Sequence, residues 1–592
     1  MLLDPHSYND TAQPETTHVH WKARVDFAAR TIEAEATLTL SEPGSGPLDL
    51  DTRDLTILGA SDQNGTALEF TLHPAEPILG SRLRIMLPRG TSKVSVKYKT
   101  SPDASALQWL TPAQTHSGKH PFLFSQCQAV HARSVIPLQD TPRLRVTFRA
   151  EMTVPKNLTA LFAAAFVSRT VSGDEATVVY DMPQPIPPYL LALAVGELES
   201  RDIGPRSRVW AEPGVIEAAA WEFGGVESMI QSAEKLFGPY EWDRFDVLTM
   251  PPSFPYGGME NPRLTFLTPT VLAGDRSLVN LLAHELAHSW TGNLVTNANA
   301  DHFWLNEGFT VYAERRIFEA LQGAEMAALH AAMGRRRLER AIDKFADRPE
   351  LTKLRCNLKG VDPDDAFSDV PYEKGYLFLR TLEEEVGRPA FDKFLLKYVA
   401  TWRFKSITTE QFLEFLEQNL PGVAAKVHSD DWIHKPGIPA GASAPRSTRL
   451  DAVRNLGASV PSDETAVAWT PTEWVLYLDN LPRPTPRSVC EKLESSFHLT
   501  GSHNHEVLVA WLAVATASGF DAALPRVERI LGEVGRMKYL EPLYSALAKS
   551  SRYHSLAQSC YDKAKDSYHP IARQVVEGVL RRNAAVRSDA VS

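Results

Sequence analysis

The feature that most constrains this chain is a change of hydrophobic period near residue 200. Before it, apolar and polar residues alternate in short runs, as in Ala36-Thr37-Leu38-Thr39-Leu40, Val94-Ser95-Val96-Lys97-Tyr98 and Leu144-Arg145-Val146-Thr147-Phe148. A period of two puts every second side chain on one face of a sheet, and the Pro, Gly and Asp clusters between runs supply turns. Residues 1–200 therefore read as an all-β domain. Helical spacing then takes over in 278–290, 303–321, 373–385 and 409–419, so 201–440 reads as mixed α/β and then mainly helical. Pro436, Pro439, Pro445 and Pro461 lie in a stretch rich in Pro, Gly, Ala and Ser, which predicts a linker over 441–462. Amphipathic segments at 473–480, 489–497, 506–517 and 540–549 predict stacked helix pairs over 463–592. The expected class is a multidomain α+β protein, since 592 residues exceed what one core can organise.

Charge narrows the partners. With 62 basic and 72 acidic residues the net charge is -10, which repels nucleic acid and anionic lipid surfaces at long range. The dense basic run Arg335, Arg336, Arg337 and Arg340 reads as a solvated helix face and receives no function. No apolar run is long enough to cross a bilayer. The first fifteen residues carry Asp4, Asp10 and Glu15 and no cationic lead into an apolar stretch, so the expectation is a cytoplasmic protein without a secretory signal. Cys127, Cys356, Cys490 and Cys560 are far apart, a usage that suits reduced thiols. A monomer or loose homo-oligomer is expected.

His284-Glu285-Leu286-Ala287-His288 falls in a helical segment, with Ser277 as a cap and Gly292 as a stop. Histidines four apart share a helix face and can point at one ion, with Glu285 beside them to take a proton from water. Eighteen residues separate His288 from Glu307, a carboxylate on the next helix that can complete a His, His, Glu set for one zinc ion. Glu314 lies two turns after Glu307 on the same face, where it is either a carboxylate that orients a histidine ring or an ordinary surface acid.

The string Tyr256-Gly257-Gly258-Met259-Glu260-Asn261, together with this motif, resembles the gluzincin zinc aminopeptidases. Within them the chain is most similar to leukotriene-A(4) hydrolases and their bacterial aminopeptidase relatives. Pro251-Pro252-Ser253-Phe254-Pro255, Phe303-Trp304-Leu305-Asn306-Glu307-Gly308 and Pro371-Tyr372-Glu373-Lys374-Gly375 carry that similarity. The resemblance implies a β-sheet saddle domain, a thermolysin-like zinc catalytic domain and an α-helical C-terminal domain. It also implies a metalloaminopeptidase acting on short peptides.

Residue roles follow. An enzyme that cuts only at the N-terminus must recognise an α-ammonium, for which Glu260 is the candidate anion; Gln128 is a second amine-binding residue by resemblance alone. Tyr372 is positioned by its motif to donate its hydroxyl to an oxyanion, and Gly257 and Gly258 let backbone approach the peptide closely. By resemblance, Arg536 and Lys538 hold the substrate's C-terminal carboxylate and Asp364 lines the side-chain pocket, where it favours basic N-terminal residues. Phe367 departs from the leukotriene hydrolases, which carry tyrosine there, and this weighs against the alternative of an epoxide hydrolase working at the same zinc. A non-catalytic binding protein on this fold would have lost the base, a ligand or the tyrosine; none is lost.

Overall fold

The structure, a computed structural model, describes residues 4–591, with side chains described through Asn583. Alternation along the N-terminal third is realised as an eight-stranded sheet. Val19, Trp21, Ala23 and Val25 of strand Thr16–Asp26, and Val146, Phe148, Ala150, Met152 and Val154 of Val146–Pro155, bury one face while their neighbours look outward. These two strands run parallel, whereas Thr31–Thr52 and Ser81–Lys99 form a long antiparallel pair. A second sheet of four short strands includes Phe122–Ser125 and leads into the segment holding Gln128.

The catalytic part begins with a five-stranded mixed sheet whose edge is Gly258–Met259, antiparallel to Leu264–Leu267. Behind it stand helices Asn280–Ala287, Trp304–Gln322, Ala324–Lys344 and Gly375–Val386. One contiguous apolar core joins both sheets of the N-terminal part to these helices. A second core holds the C-terminal helices together, and Leu329 and Ala332 from Ala324–Lys344 belong to it. Among the described residues no helix is long and apolar enough to cross a membrane.

Four expectations need correcting. Ser277 caps nothing: the motif helix starts at Asn280, and the Ser277 hydroxyl instead accepts a 2.9 Å hydrogen bond from Asn504 of the C-terminal part. Gly292 is not the stop, because the helix ends at Ala287 with His288 as its C-terminal boundary. The expected connection 441–462 is not irregular throughout, since it carries the helix Thr448–Leu456; Ser447 caps that helix, and Leu450 and Val453 anchor it in the second core. Finally, the basic run is no free solvated face. Arg336 donates to the Leu476 carbonyl at 3.3 Å, Arg337 reaches Glu373 at 2.7 Å and Arg340 pairs with Asp479 at 3.0 Å, because Leu329 and Ala332 turn this helix toward the C-terminal helices.

Candidate active site

Helical spacing places His284 and Glu285 in the last turn of Asn280–Ala287 and His288 just beyond, facing Glu307 in the first turn of Trp304–Gln322. The two Nε2 atoms are 3.2 Å apart, and Glu307 Oε2 lies 3.4 Å from one and 3.5 Å from the other. A tetrahedral zinc with bonds of about 2.0–2.1 Å requires donor separations of about 3.3–3.4 Å, so these three atoms form one face of such a polyhedron. Glu307 Oε2 is buried without a hydrogen-bond donor, which an ion would satisfy.

The remaining ring nitrogens are fixed from behind. His284 Nδ1–H donates to Glu314 at 3.1 Å, and His288 Nδ1–H donates to the Thr291 carbonyl at 3.0 Å, so both Nε2 lone pairs face the centre. Thr310, which also donates to the Thr291 carbonyl at 2.7 Å, was not anticipated; it lies three residues after Glu307, on the face that periodicity assigns to Glu307 and Glu314. Burial alone would lower the His284 pKa, but the Glu307 and Glu314 carboxylates overcome it and hold the ring well above its ordinary value. Glu285 is pushed up to about 8, first by burial, against the pull of His284 and His288. A divalent cation at the centre reverses both directions.

Glu260, beside the sheet edge, is 3 % exposed, and its Oε1 has no partner. Burial raises its pKa, and ligand atoms of Glu260, Glu285 and His288 lie within 4.8 Å of one another. The strand comes this close because residue 258 is glycine: a Cβ there would stand 2.3 Å from Glu285 Oε1. Met259 is buried, and its sulfur accepts from Gln126 Nε2 at 3.1 Å. Tyr372 occupies a π-helical turn, Val370–Lys374, and the regular helix expected from 373 begins after it, at Gly375. Its ring stacks on His284 with centroids 6.1 Å apart. Burial, and then the carboxylates of Glu307, Glu260 and Glu285, raise its phenol pKa.

Gln128, Tyr256, Asp364 and Phe367 line a pocket of about 920 Å³ that is partly open to solvent, with Phe303, Trp304, Leu351 and Leu354 among its apolar walls. Phe367 sets its ring edge-on to both Tyr256 and Tyr372, at 6.1 and 6.0 Å. Asp364 is not a lone acid: it contacts His131 Nε2 at 2.9 Å, a partner 233 residues away that no local signal announces. On the far side, Arg536 stands next to Gly257, where a Cβ would meet its Nη2 at 2.8 Å. Arg536 donates to Thr270 Oγ1 and the Tyr539 hydroxyl at 3.2 and 2.8 Å, while Lys538 Nζ is bound by Glu506 at 2.7 Å. Glu506, likewise unforeseen, is held down to about 2; burial opposes this, and Lys538 and Arg536 outweigh it.

Three convergent donors, a carboxylate beside them and an unpaired acid at the sheet edge define a metallo-exopeptidase. Comparison with known proteins agrees. The Peptidase M1 N-terminal domain matches residues 4–190, the Peptidase family M1 domain 221–432 and the leukotriene A4 hydrolase C-terminal domain 469–580. Leukotriene A-4 hydrolase of Xenopus laevis is 39% identical over 99% of this chain and 100% of its own length. Leucine aminopeptidase 2 of Sclerotinia sclerotiorum is 38% identical over 98% and 100%. The solved structure of yeast LTA4 hydrolase in complex with bestatin superposes with a TM-score of 0.89 at 33% identity, covering 98% of this chain and 97% of that one. The chain belongs to peptidase family M1, in its leukotriene A4 hydrolase group. It is a zinc-dependent aminopeptidase that uses one zinc ion.

Proposed function

We propose that His284, His288 and Glu307 hold the zinc and that the chain releases N-terminal residues from short peptides. Bound zinc supplies Lewis acidity for the scissile carbonyl and makes a nearby water easier to deprotonate. Glu285 takes the proton of the attacking water and delivers it to the leaving amine. Glu260 and Gln128 hold the α-ammonium, Tyr372 donates its hydroxyl to the developing oxyanion, and Glu314 fixes the His284 ring. The Gly258–Met259 strand lies at a sheet edge, so its backbone can pair with an extended peptide. Arg536 and Lys538 receive the far carboxylate, which favours tripeptide-sized substrates.

The observation that carries this reading is the buried, unpartnered Oε1 of Glu260 beside the general base. Such an atom calls for a cation, and a free amino terminus brings one. Amino-acid arylamides with and without a chelator, N-acetylated controls and Glu285→Gln test it. Turnover confined to free amino termini and abolished by both treatments supports the proposal; cleavage of acetylated substrates overturns it.

Asp364 at the cavity, ionised against His131, favours basic N-terminal side chains, and equal turnover of Arg and Leu arylamides would sink that preference. The apolar walls of the same cavity favour a second reading, opening of a lipid epoxide, as the name of the Xenopus relative suggests. Phe367 brings no hydroxyl there, so a missing diol product from a fatty-acid epoxide decides against it. We further propose a cytoplasmic monomer or loose homo-oligomer acting on peptides and not on nucleic acid, with domains at 1–200, 201–440 and 463–592. Sedimentation and limited proteolysis check these assignments.

A further inference from the structure

The residue after Tyr372 is Glu373, only 1 % exposed. Its oxygens receive Arg315 Nη2 at 2.9 and 2.7 Å and Arg337 Nη2 at 2.7 Å. Arg315 directly follows Glu314, the partner of His284, and lies 3.9 Å over the Tyr376 ring. The two helices that supply these arginines meet at Gly334, where a Cβ would stand 2.1 Å from Glu373 Oε2 and 2.2 Å from Arg315 Nη2. Only a residue without a side chain lets helix Ala324–Lys344 close over the pair.

That helix belongs to two cores at once. Leu338 and Ala341 pack in the catalytic core, whereas Leu329 and Ala332 pack in the C-terminal one. Arg340 and Lys344 pair with Asp479 and Glu541 of the C-terminal helices at 3.0 and 3.3 Å. Docking of the C-terminal domain therefore fixes where Arg337 can stand.

We propose that Glu373, clasped by Arg315 and Arg337, is a positioning residue through which the docked C-terminal domain sets the place of the Tyr372 hydroxyl. This rests on the reading of Tyr372 as the oxyanion donor. Stability alone is a poor reason for the arrangement, because apolar side chains of equal volume usually serve a buried site as well as charges do. Two guanidinium groups on one carboxylate do fix direction, since Arg315 Nη2 spans both oxygens and Arg337 Nη2 reaches Oε1 from a second helix. The π-helical turn is a single irregular turn, and the bonds to Glu373 tie it to the helix bearing Glu307 and Glu314.

The experiment compares Arg337→Met, Arg337→Lys, Glu373→Gln, Asp479→Asn and Tyr372→Phe in the zinc-loaded full chain. Measured are kcat, KM, melting temperature and inhibition by two ligands: a phosphinic dipeptide, which mimics the oxyanion, and free leucine, which does not. A displaced donor should lower kcat in Arg337→Met and Glu373→Gln by about tenfold or more while KM stays within about threefold. Phosphinic inhibition should weaken by the same factor with leucine binding unchanged, Arg337→Lys should recover part of the loss, and Asp479→Asn, which removes a docking contact, should lower kcat in the same direction by a smaller factor; wild-type kcat there would refute the part played by the C-terminal domain. The clasp is refuted if Arg337→Met loses only melting temperature, or if both inhibitors weaken alike. Should Glu373→Gln fail to fold, Arg337→Met carries the test, because its side chain is 38% exposed. Unchanged kcat in Tyr372→Phe would sink the oxyanion reading itself; a collapse there beside an unaffected Arg337→Met would sink the clasp alone.

Discussion

An alanine at position 258 probes the placement of the proposed base without replacing it. The added Cβ would lie 2.3 Å from Glu285 Oε1, 2.4 Å from its Cδ and 2.6 Å from its Cγ, whereas ordinary contact begins at 3.4 Å. Gly258 has no positive φ, so alanine adds no backbone strain and the whole effect falls on this contact. Glu285 is 5 % exposed and walled in, and it must retreat by about 1 Å. Displacement of that size costs a reacting group about a hundredfold in rate, close to 2.7 kcal/mol. The assay is kcat/KM on a leucine arylamide, read against zinc content and melting temperature. Gly257→Ala is the control: its Cβ meets Arg536 Nη2 at 2.8 Å and the Leu281 methyls at 3.2 Å but not the base, so arylamides should lose less than tripeptides do. A zinc-loaded Gly258→Ala enzyme within threefold of wild type would show that Glu285 is not held where its chemistry requires.

Glu260→Gln keeps the shape and removes the anion, so kcat/KM on free amino termini should fall about ten- to a hundredfold, mainly through KM; an unchanged KM would remove Glu260 from ammonium recognition. Asp364→Asn should lower the Arg-to-Leu arylamide ratio by about tenfold and leave leucine turnover near wild type, which a two-substrate comparison reads directly. Lys374 supplies a pH test: its Nζ donates to the carbonyls of Thr352 and Lys435 at 2.9 and 2.7 Å, and burial pulls its pKa from 10.5 to about 7. Because the folded lysine loses its proton near 7 and the unfolded one near 10.5, wild-type stability should rise against Lys374→Met by about 2.7 kcal/mol from pH 6 to pH 9, most of it above pH 7, and that gain is lost as pH falls through 7. Urea unfolding of both proteins at pH 6 and 9 measures this, and a constant difference would refute it.

What could be read in advance was local. His284 and His288 share a helix face by arithmetic, and Glu307 and Glu314 repeat along the next helix at its own period, so the candidate donors and one support are written within forty residues, whereas Thr310 on the same face was missed. The alternating strands were equally legible because one buried face leaves a mark at every second residue. Misreadings arose where distant chain competed for a local signal. Ser277 has the chemistry of a cap, yet its hydroxyl serves Asn504 from 227 residues away. The arginine run has the pattern of a wet surface, yet Leu329 and Ala332 roll that helix into a second core.

The division has a chemical sense. The groups proposed to hold the zinc and to take the water's proton come from adjacent turns of one domain, where spacing alone brings them together. Those proposed to choose the substrate are paired across domains: Asp364 with His131 of the N-terminal part, and Arg536 beside Gly257 of the catalytic sheet. A substitution at His131 or Glu506 should therefore shift which peptide is taken while leaving the donor set intact, because neither touches His284, His288 or Glu307 and each acts on a charge proposed to face the substrate. On this reading both selectivity and the placement of Tyr372 depend on how the domains meet, so a side chain at 334, where Glu373 and Arg315 leave no room, should disturb more than helix packing.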